Sequence, residues 1–173
     1  MSAITIKPDH AAFDVYYGRL GTLKTGLKLT TEGSTRRAFS ALLDATASVR
    51  KWTLAEEITQ QRKGNRIRLD GVLYDKYQLP RGYWEAKDKH DDLDTEILSK
   101  QARDYPISNI IYEDTQRAIL IQDGVRVFDI DVFNRDELAK LLTRFYNYDL
   151  EPFEKFAEAV TYFRRSSPIL GAD

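Results

Sequence analysis

Two short stretches of this sequence indicate both its fold and its chemistry: RLDG at residues 68–71 and YWEAK at residues 83–87. The first ends a segment of alternating apolar side chains in an acid, and the second places an acid and a lysine two positions apart. Because strand side chains alternate between faces, Glu85 and Lys87 project from the same face. A neighbouring strand brings Asp70 beside them. The sequence therefore predicts two carboxylates and one ammonium group at one place on a sheet.

This grouping is typical of a site for a hard divalent cation. Carboxylate oxygens of Asp70 and Glu85, with the backbone carbonyl of Ala86, suit Mg²⁺, and Mn²⁺ accepts the same ligands. Lys87 then lies on the water side. There it orients or helps to deprotonate an attacking water, while the cation neutralises charge on a phosphate. The chain has no cysteine and only two histidines, which excludes iron–sulfur clusters and argues against zinc.

The pattern around these stretches predicts an α/β (α+β) fold with a mixed central sheet flanked by helices. Apolar spacing predicts helices at residues 8–20, from Ser34 or Thr35, from Asp91 to near Pro106, at 135–147 and at 152–165. Strands are predicted at residues 52–58, 66–74, 83–87, 109–113, 117–122 and 125–130, with Asp123-Gly124 as a tight hairpin turn. A turn containing Pro80 and Gly82 is expected before the third strand.

Length, charge and hydropathy narrow the protein class. With 173 residues and a net charge of -1, the chain is the size of one domain and is not basic as a whole. Its apolar runs are too short to cross a bilayer, and its N-terminus lacks the apolar core of a signal peptide. We therefore expect an intracellular, cytoplasmic protein without a membrane partner.

The acid–acid–lysine set resembles the motif of the PD-(D/E)xK nuclease superfamily, with Asp70, Glu85 and Lys87 in the motif order on adjacent strands. Leu69 stands where that motif has its proline. A narrower resemblance covers nearly the whole chain: residues 32–39, 70–71, 83–88 and 91–93 are similar to the N-terminal, Mrr-like nuclease region of type ISP single-polypeptide restriction-modification enzymes. The late apolar residues Phe153, Phe156, Val160 and Phe163 resemble the helix that couples such a nuclease to its translocase.

The resemblance implies a restriction-endonuclease-like core and Mg²⁺-dependent cleavage of double-stranded DNA in a restriction system. It also implies a longer parent protein with helicase-like ATPase and methyltransferase domains, and a transient second nuclease copy as partner. On this basis residues 1–31 are an N-terminal helix and link, residues 32–133 the nuclease core, and residues 134–173 helices that couple to a following domain.

Further residues are candidates for supporting roles, each with a plainer alternative. Glu32 either reaches the metal or only favours a helix N-terminus, and Glu57 is either an auxiliary acid or solvent-facing. Gln101 is either a polar residue near the site or an ordinary exposed glutamine. The basic side chains near the acids either contact DNA phosphates or are simply solvated: Arg36, Arg62, Lys63, Arg66 and Arg68.

Two other functions remain open from the sequence. One is a catalytically silent nuclease fold that binds DNA or docks onto a translocase. The other is an unrelated α/β protein in which Glu85 and Lys87 form a surface ion pair worth about 0 to 1 kcal/mol. Burial of the three charged residues at one cleft separates a site from a surface pair.

Overall fold

The structure, a computed structural model, describes residues 3–25, 32–87 and 92–148. Within these ranges the chain forms four α-helices: α1 (Ala11–Thr25), α2 (Glu32–Ala47), α3 (Leu93–Ala102) and α4 (Arg135–Tyr146). A short 3-10 helix, Ser48–Arg50, follows α2. The strands are β1 (Thr53–Arg62), β2 (Asn65–Tyr74), β3 (Pro80–Ala86), β4 (Asn109–Glu113), β5 (Arg117–Gln122) and β6 (Val125–Asp131). No helix in these ranges is both long and apolar enough to cross a membrane.

The six strands form one sheet in chain order, from β1 at one edge to β6 at the other. Neighbouring strands are antiparallel, except that β3 and β4 run parallel. A parallel connection needs a crossover, and α3 lies between these two strands in the chain. The predicted mixed sheet with flanking helices is therefore confirmed.

Two clusters of buried apolar side chains cover the two faces of the sheet. One cluster joins α1, α2 and α4 to the sheet through residues such as Phe39, Trp84 and Phe145. The other joins α3 to the opposite side through residues such as Val72 and Ile97. We call these sides the three-helix face and the α3 face. Trp84 and Glu85, being consecutive on β3, project to different faces.

The turn predicted around Pro80 and Gly82 is wrong, because both residues lie in β3. Proline is tolerated as the first residue of a strand, and the reversal comes earlier, where the Asp75 carboxylate accepts hydrogen bonds from the backbone of Tyr77 and Leu79. Gly82 is required by packing. A Cβ atom there would lie 2.3 Å from Cζ of Phe145.

Several other expectations can be compared with the described residues. The Asp123-Gly124 turn is confirmed, with φ of 51° and 78° at the two residues. The helix α2 begins at Glu32 rather than at Ser34 or Thr35, and β1 continues to Arg62 instead of ending at residue 58. The predicted helix at residues 152–165 lies outside the described residues, as do Phe153, Phe156, Val160 and Phe163.

Candidate active site

The strands β2 and β3 bring Asp70 and Glu85 together where their regular pairing stops. The ladder between them reaches Gly71 and Trp84. One step further, the backbone N–H of Ala86 donates to Oδ2 of Asp70 at 2.9 Å, and the N–H of Asp70 donates to Oε1 of Glu85 at 3.3 Å. Each carboxylate is thus fixed by the backbone of the other strand. The structure therefore places the Asp70 and Glu85 carboxylates next to each other on neighbouring strands.

The neighbouring strand β1 is also irregular at this point. Its ladder with β2 pairs Glu56 with Gly71 and Ile58 with Leu69, but leaves Glu57 unpaired opposite Asp70. Glu57 has a φ of 55°, in the left-handed region that is uncommon for residues other than glycine. Its half-exposed carboxylate lies 2.9 Å from Nη2 of Arg68. Glu57 therefore borders Asp70 without contacting Glu85.

Two helices contribute one cation each to the carboxylate pair. The guanidinium of Arg36, on α2, contacts Oδ1 of Asp70 and lies 3.9 Å from Oε1 of Glu57. The ammonium of Lys100, on α3, lies 2.7 Å from Oε2 of Glu85. The Glu85 side chain is 1% exposed and that of Lys100 is 13% exposed, so this pair is shielded from water.

Burial raises the pKa of Glu85, and the nearby cations oppose that rise. The hydrogen bond from Lys100 lowers the pKa most among the opposing effects, followed by the charges of Lys100, Lys87 and Arg36. Tyr112 is the registered neighbour of Glu85 on β4. Burial, with a contribution from the charge of Glu85, raises the pKa of Tyr112, and its hydroxyl has no hydrogen-bond partner among the described residues.

Lys87 follows β3 directly and lies on the same face as Glu85. Its ammonium is 2.7 Å from Oε2 of Glu96 on α3, the helix that also carries Lys100. The hydrogen bond from Lys87 lowers the pKa of Glu96. The backbone N–H of Lys87 donates to the carbonyl of Glu113 at 2.7 Å, which fixes the residue to β4. The three motif residues therefore lie in one place, with Lys87 directed toward α3.

The remaining candidate residues differ in whether they contact the Asp70–Glu85 pair. On α3, Lys100 contacts Glu85, whereas its neighbour Gln101 is half-buried and makes no side-chain hydrogen bond to the described residues. Glu32 is the first residue of α2, but its side chain lies outside the described part of the chain. Arg36 contacts Asp70 in this structure, and its contact with DNA phosphates stays a prediction.

The predicted basic stretch forms the far end of the β1–β2 hairpin. The two strands pair as far as Arg62 and Asn65, whereas β3 accompanies β2 only up to Gly71. Arg66 and Arg68 are exposed and alternate with buried Ile67 on β2. Lys63 lies at the tip and forms an exposed ion pair with Asp104. Arg66 and Arg68 project to the side of β2 opposite Ile67, on the stretch that leads to Asp70.

The donor atoms at the centre suit a hard cation. Within the described ranges, no group of three or more acidic, histidine or cysteine side chains could hold a metal. The ligands predicted from the sequence are two carboxylates and one backbone carbonyl. All three are oxygen donors, and water would complete the coordination, as Mg²⁺ prefers. The backbone hydrogen bonds that align Asp70 and Glu85 are compatible with such an ion, and the ligand set stays a prediction.

Sequence reasoning missed two charged residues at the site, Lys100 and Glu96, and a third, Glu113, on the opposite face of the sheet. Lys100 could have been found, because it follows buried Leu93 and Ile97 at helical spacing and so lies on the apolar side of α3. The neighbouring apolar residue Leu98, by contrast, is 68% exposed. Glu96 and Glu113 carry no comparable local signal, because their importance depends on which strand and helix they meet.

Comparisons with known proteins include an informative structural match. No protein-family model matches this sequence, and no curated protein does. A cryo-EM structure of a DrdV–DNA complex contains a chain with 37% sequence identity to this one and a TM-score of 0.80, and the match covers 90% of this chain. The match covers 15% of the chain in that complex. The mixed α/β architecture thus recurs within a much longer chain of a DNA complex.

Proposed function

We propose that this chain is a Mg²⁺-dependent endonuclease domain that hydrolyses phosphodiester bonds in double-stranded DNA, with Mn²⁺ able to replace Mg²⁺. One observation carries the proposal. Asp70 and Glu85 lie at the point where β2 and β3 stop pairing, each held by a backbone N–H of the other strand. A surface ion pair needs no such arrangement. Glu85 is also 1% exposed, which speaks against the unrelated α/β protein with a superficial Glu85–Lys87 pair.

The residues of the chain have separate tasks in this reaction. Asp70, Glu85 and the carbonyl of Ala86 would hold the cation, which when bound supplies positive charge for the phosphate and a more acidic water. Lys87 orients the attacking water. An ammonium has three N–H donors, and the contact with Glu96 uses one of them. Glu96 can therefore hold Lys87 in place while the remaining donors face the water.

Phosphate binding is assigned to the basic end of the β1–β2 hairpin. Arg66 and Arg68 alternate along β2 toward Asp70, so a DNA backbone lying on them reaches the carboxylate pair. The similarity to a chain in a DNA complex supports this assignment. Base-specific recognition is not assigned to this chain, because phosphate contacts carry no sequence information by themselves.

Nicking of supercoiled plasmid by the purified chain tests the proposal. We expect nicking with Mg²⁺ or Mn²⁺, none with a chelator, and a loss of at least about a hundredfold in Lys87→Ala. The matched control is Lys140→Ala, since Lys140 is an exposed lysine on α4, away from the site. Thermal unfolding of both variants checks that the loss is chemical. Nicking by Lys87→Ala at the wild-type rate would contradict the assignment.

A silent module that binds DNA or docks onto a translocase is the second candidate function. It is favoured by the ion pairs Arg36–Asp70 and Lys100–Glu85, which satisfy both carboxylates without a metal. The plasmid assay separates the two candidates when DNA binding is measured in parallel. Binding without metal-dependent nicking at high protein concentration favours the silent module.

The wider role we propose is the nuclease part of a restriction-modification enzyme of the type ISP class. Such a protein carries helicase-like ATPase and methyltransferase domains in the same polypeptide, and a second nuclease copy would be needed to cut the opposite strand. The proposal draws on the motif resemblance and on the 15% of the neighbouring chain that this chain matches. Nuclease activity of the chain fused to its native C-terminal continuation, compared with and without ATP, tests this role.

A further inference from the structure

The closest cation to the carboxylate of Glu85 is Lys100, which the PD-(D/E)xK pattern does not include. Lys100 lies on α3 after Leu93 and Ile97, on the side of the helix that packs on the sheet. Its Nζ is 2.7 Å from Oε2 of Glu85. By contrast, Lys87, the lysine of the motif, directs its ammonium to Glu96. The two lysines of the site therefore have different partners.

Aromatic packing fixes the position of the Lys100 ammonium. Its Nζ lies 4.0 Å from the centre of the Tyr105 ring, and the Tyr105 hydroxyl donates to the carbonyl of Arg68 on β2 at 2.9 Å. Desolvating a charged lysine and a charged glutamate is expensive unless the two remain in contact. The charged form of Lys100 is therefore stabilised by Glu85, and the charged form of Glu85 is stabilised by Lys100.

The two carboxylates have matching arrangements of contacts. In each, one oxygen accepts a backbone N–H from the other strand, and the second contacts a helix cation: Arg36 for Asp70 and Lys100 for Glu85. Two negative charges are balanced by two positive ones. A divalent cation that binds the same oxygens must therefore compete with these side chains or be repelled by them.

We propose that Lys100 is a positioning residue of the metal site: it holds the Glu85 carboxylate in place before a divalent cation binds, and that cation displaces its ammonium from Oε2. The inference rests on the proposed function, because it takes Asp70 and Glu85 as the metal ligands. It predicts that the charge of Lys100 weakens metal binding. Removal of this charge should therefore strengthen metal binding while it destabilises the metal-free protein.

Calorimetric titration of the full chain with Mn²⁺, in mildly alkaline buffer without DNA, measures this competition. Lys100→Gln keeps a hydrogen-bond donor but removes the charge, and should bind Mn²⁺ about tenfold more tightly than wild type. Lys100→Arg keeps the charge, and Lys140→Gln is the distant control, so both should stay within about twofold of wild type. Without metal, Lys100→Gln should unfold at a lower temperature than wild type, and saturating Mn²⁺ should narrow that gap.

A purely structural role for Lys100 predicts other results. Unchanged or weaker Mn²⁺ binding by Lys100→Gln, with the same loss of thermal stability with and without Mn²⁺, overturns the inference. If wild type binds Mn²⁺ and Asp70→Asn does not, that result leaves the proposed metal site standing. Absence of Mn²⁺ binding to the wild-type chain overturns both.

The wild-type protein provides a second measurement that does not depend on the folding of Lys100→Gln. Addition of Mg²⁺ should shift the side-chain nuclear magnetic resonance signal of Lys100 toward that of a hydrated lysine, with the Lys140 signal unchanged. The Lys100→Arg variant assigns the signal. A Lys100 signal that stays in place while Mg²⁺ binds overturns the inference.

Discussion

Glu85 and Glu113 are two buried glutamates on adjacent parallel strands, each 1% exposed, but they lie on opposite faces of the sheet. On the α3 face, Glu85 contacts the ammonium of Lys100. On the three-helix face, Oε2 of Glu113 accepts the backbone N–H of Thr115 at 2.9 Å. Burial raises the pKa of Glu113 to about 8, and the charge of Asp114 adds to the rise.

The difference separates a buried carboxylate with a cation at hydrogen-bond distance from one without such a cation among the described residues. A buried carboxylate without a cation is protonated near neutral pH, because the charged form is poorly solvated. The carboxylate of Glu85 has a cation at hydrogen-bond distance, which favours the charged form that a metal requires. Burial of an acidic side chain does not by itself indicate a functional site. The charge of the groups that contact the carboxylate is the more informative property.

The largest expected effect is on catalysis. Glu85→Gln should lower metal-dependent nicking by about a thousandfold, because it removes a charged metal ligand. Glu113→Gln should leave nicking within about twofold, because on our assignment Glu113 is not a ligand and is already neutral. Plasmid nicking rates of the two variants, measured at equal fractions of folded protein, make this comparison. Similar losses in both variants would remove the distinction between the two glutamates.

The next effect concerns the pH dependence of stability. The pKa of Glu113 rises from 4.5 to about 8 on folding, so the folded protein retains a proton that the unfolded chain loses in that interval. The contribution of Glu113 to stability is therefore complete below about pH 4.5 and declines as the pH rises to about 8. Because Glu113→Gln cannot ionise, its stability relative to wild type should increase by about 3 kcal/mol between about pH 5 and about pH 7.

Urea unfolding of both proteins at several pH values measures this difference. Asp44→Asn, which removes an exposed carboxylate on α2, controls for the loss of one negative charge. A constant difference between Glu113→Gln and wild type across the interval would show that Glu113 is charged in the folded protein. In that case Glu85 and Glu113 would differ only in the groups that contact them and not in their charge.

The sequence predicted the parts of the site that depend on strand geometry. A period of two residues places Glu85 and Lys87 on one face, and an adjacent strand carries Asp70, so their proximity follows from local pattern. The contacts of Arg36 and Lys100 with the two acids depend instead on how α2 and α3 pack against the sheet. Helical spacing places Lys100 on the apolar side of α3, but no local pattern specifies which residue of the sheet it contacts.

The same distinction applies to the fold. The hairpin at residues 123–124 is determined by two residues that tolerate positive φ, and its prediction is confirmed. Pro80 and Gly82 carry similar turn signals, yet they lie in a strand, because Gly82 packs against Phe145 from α4. Tertiary packing overrides the local signal where another element approaches the backbone closely.

The third effect tests the packing on the three-helix face. Gly82→Ala should lower the free energy of unfolding by about 2 kcal/mol, because the added Cβ would overlap the Phe145 ring. Gly18→Ala is the matched control. No heavy atom lies within 4 Å of the added Cβ at Gly18, a residue of α1, so this change should stabilise the helix by about 0.5 kcal/mol. Chemical denaturation measures both, and equal effects would contradict the close approach of Phe145.

The smallest expected effect concerns DNA binding by the β1–β2 hairpin. Arg66 alternates with Ile67 and Leu69, which pack on the α3 face, so it projects to the opposite side of β2. We therefore expect Arg66 to contact a DNA backbone that passes along the β1–β2 hairpin. Arg66→Gln should weaken duplex DNA binding by about threefold to tenfold and reduce the slope of log affinity against log salt by about 1.

Fluorescence anisotropy with a labelled duplex, in the catalytically impaired Glu85→Gln background, measures the affinity without cleavage. Lys140→Gln should change neither the affinity nor the salt slope, because Lys140 lies on α4, away from the hairpin. An unchanged slope in Arg66→Gln would mean that Arg66 does not contact phosphate, and would favour the solvated-hairpin alternative. A reduced slope would mean that Arg66 contacts a phosphate. The side of the sheet opposite α3 would then bind DNA at the β1–β2 hairpin, although the buried Glu113 on that side is not a ligand.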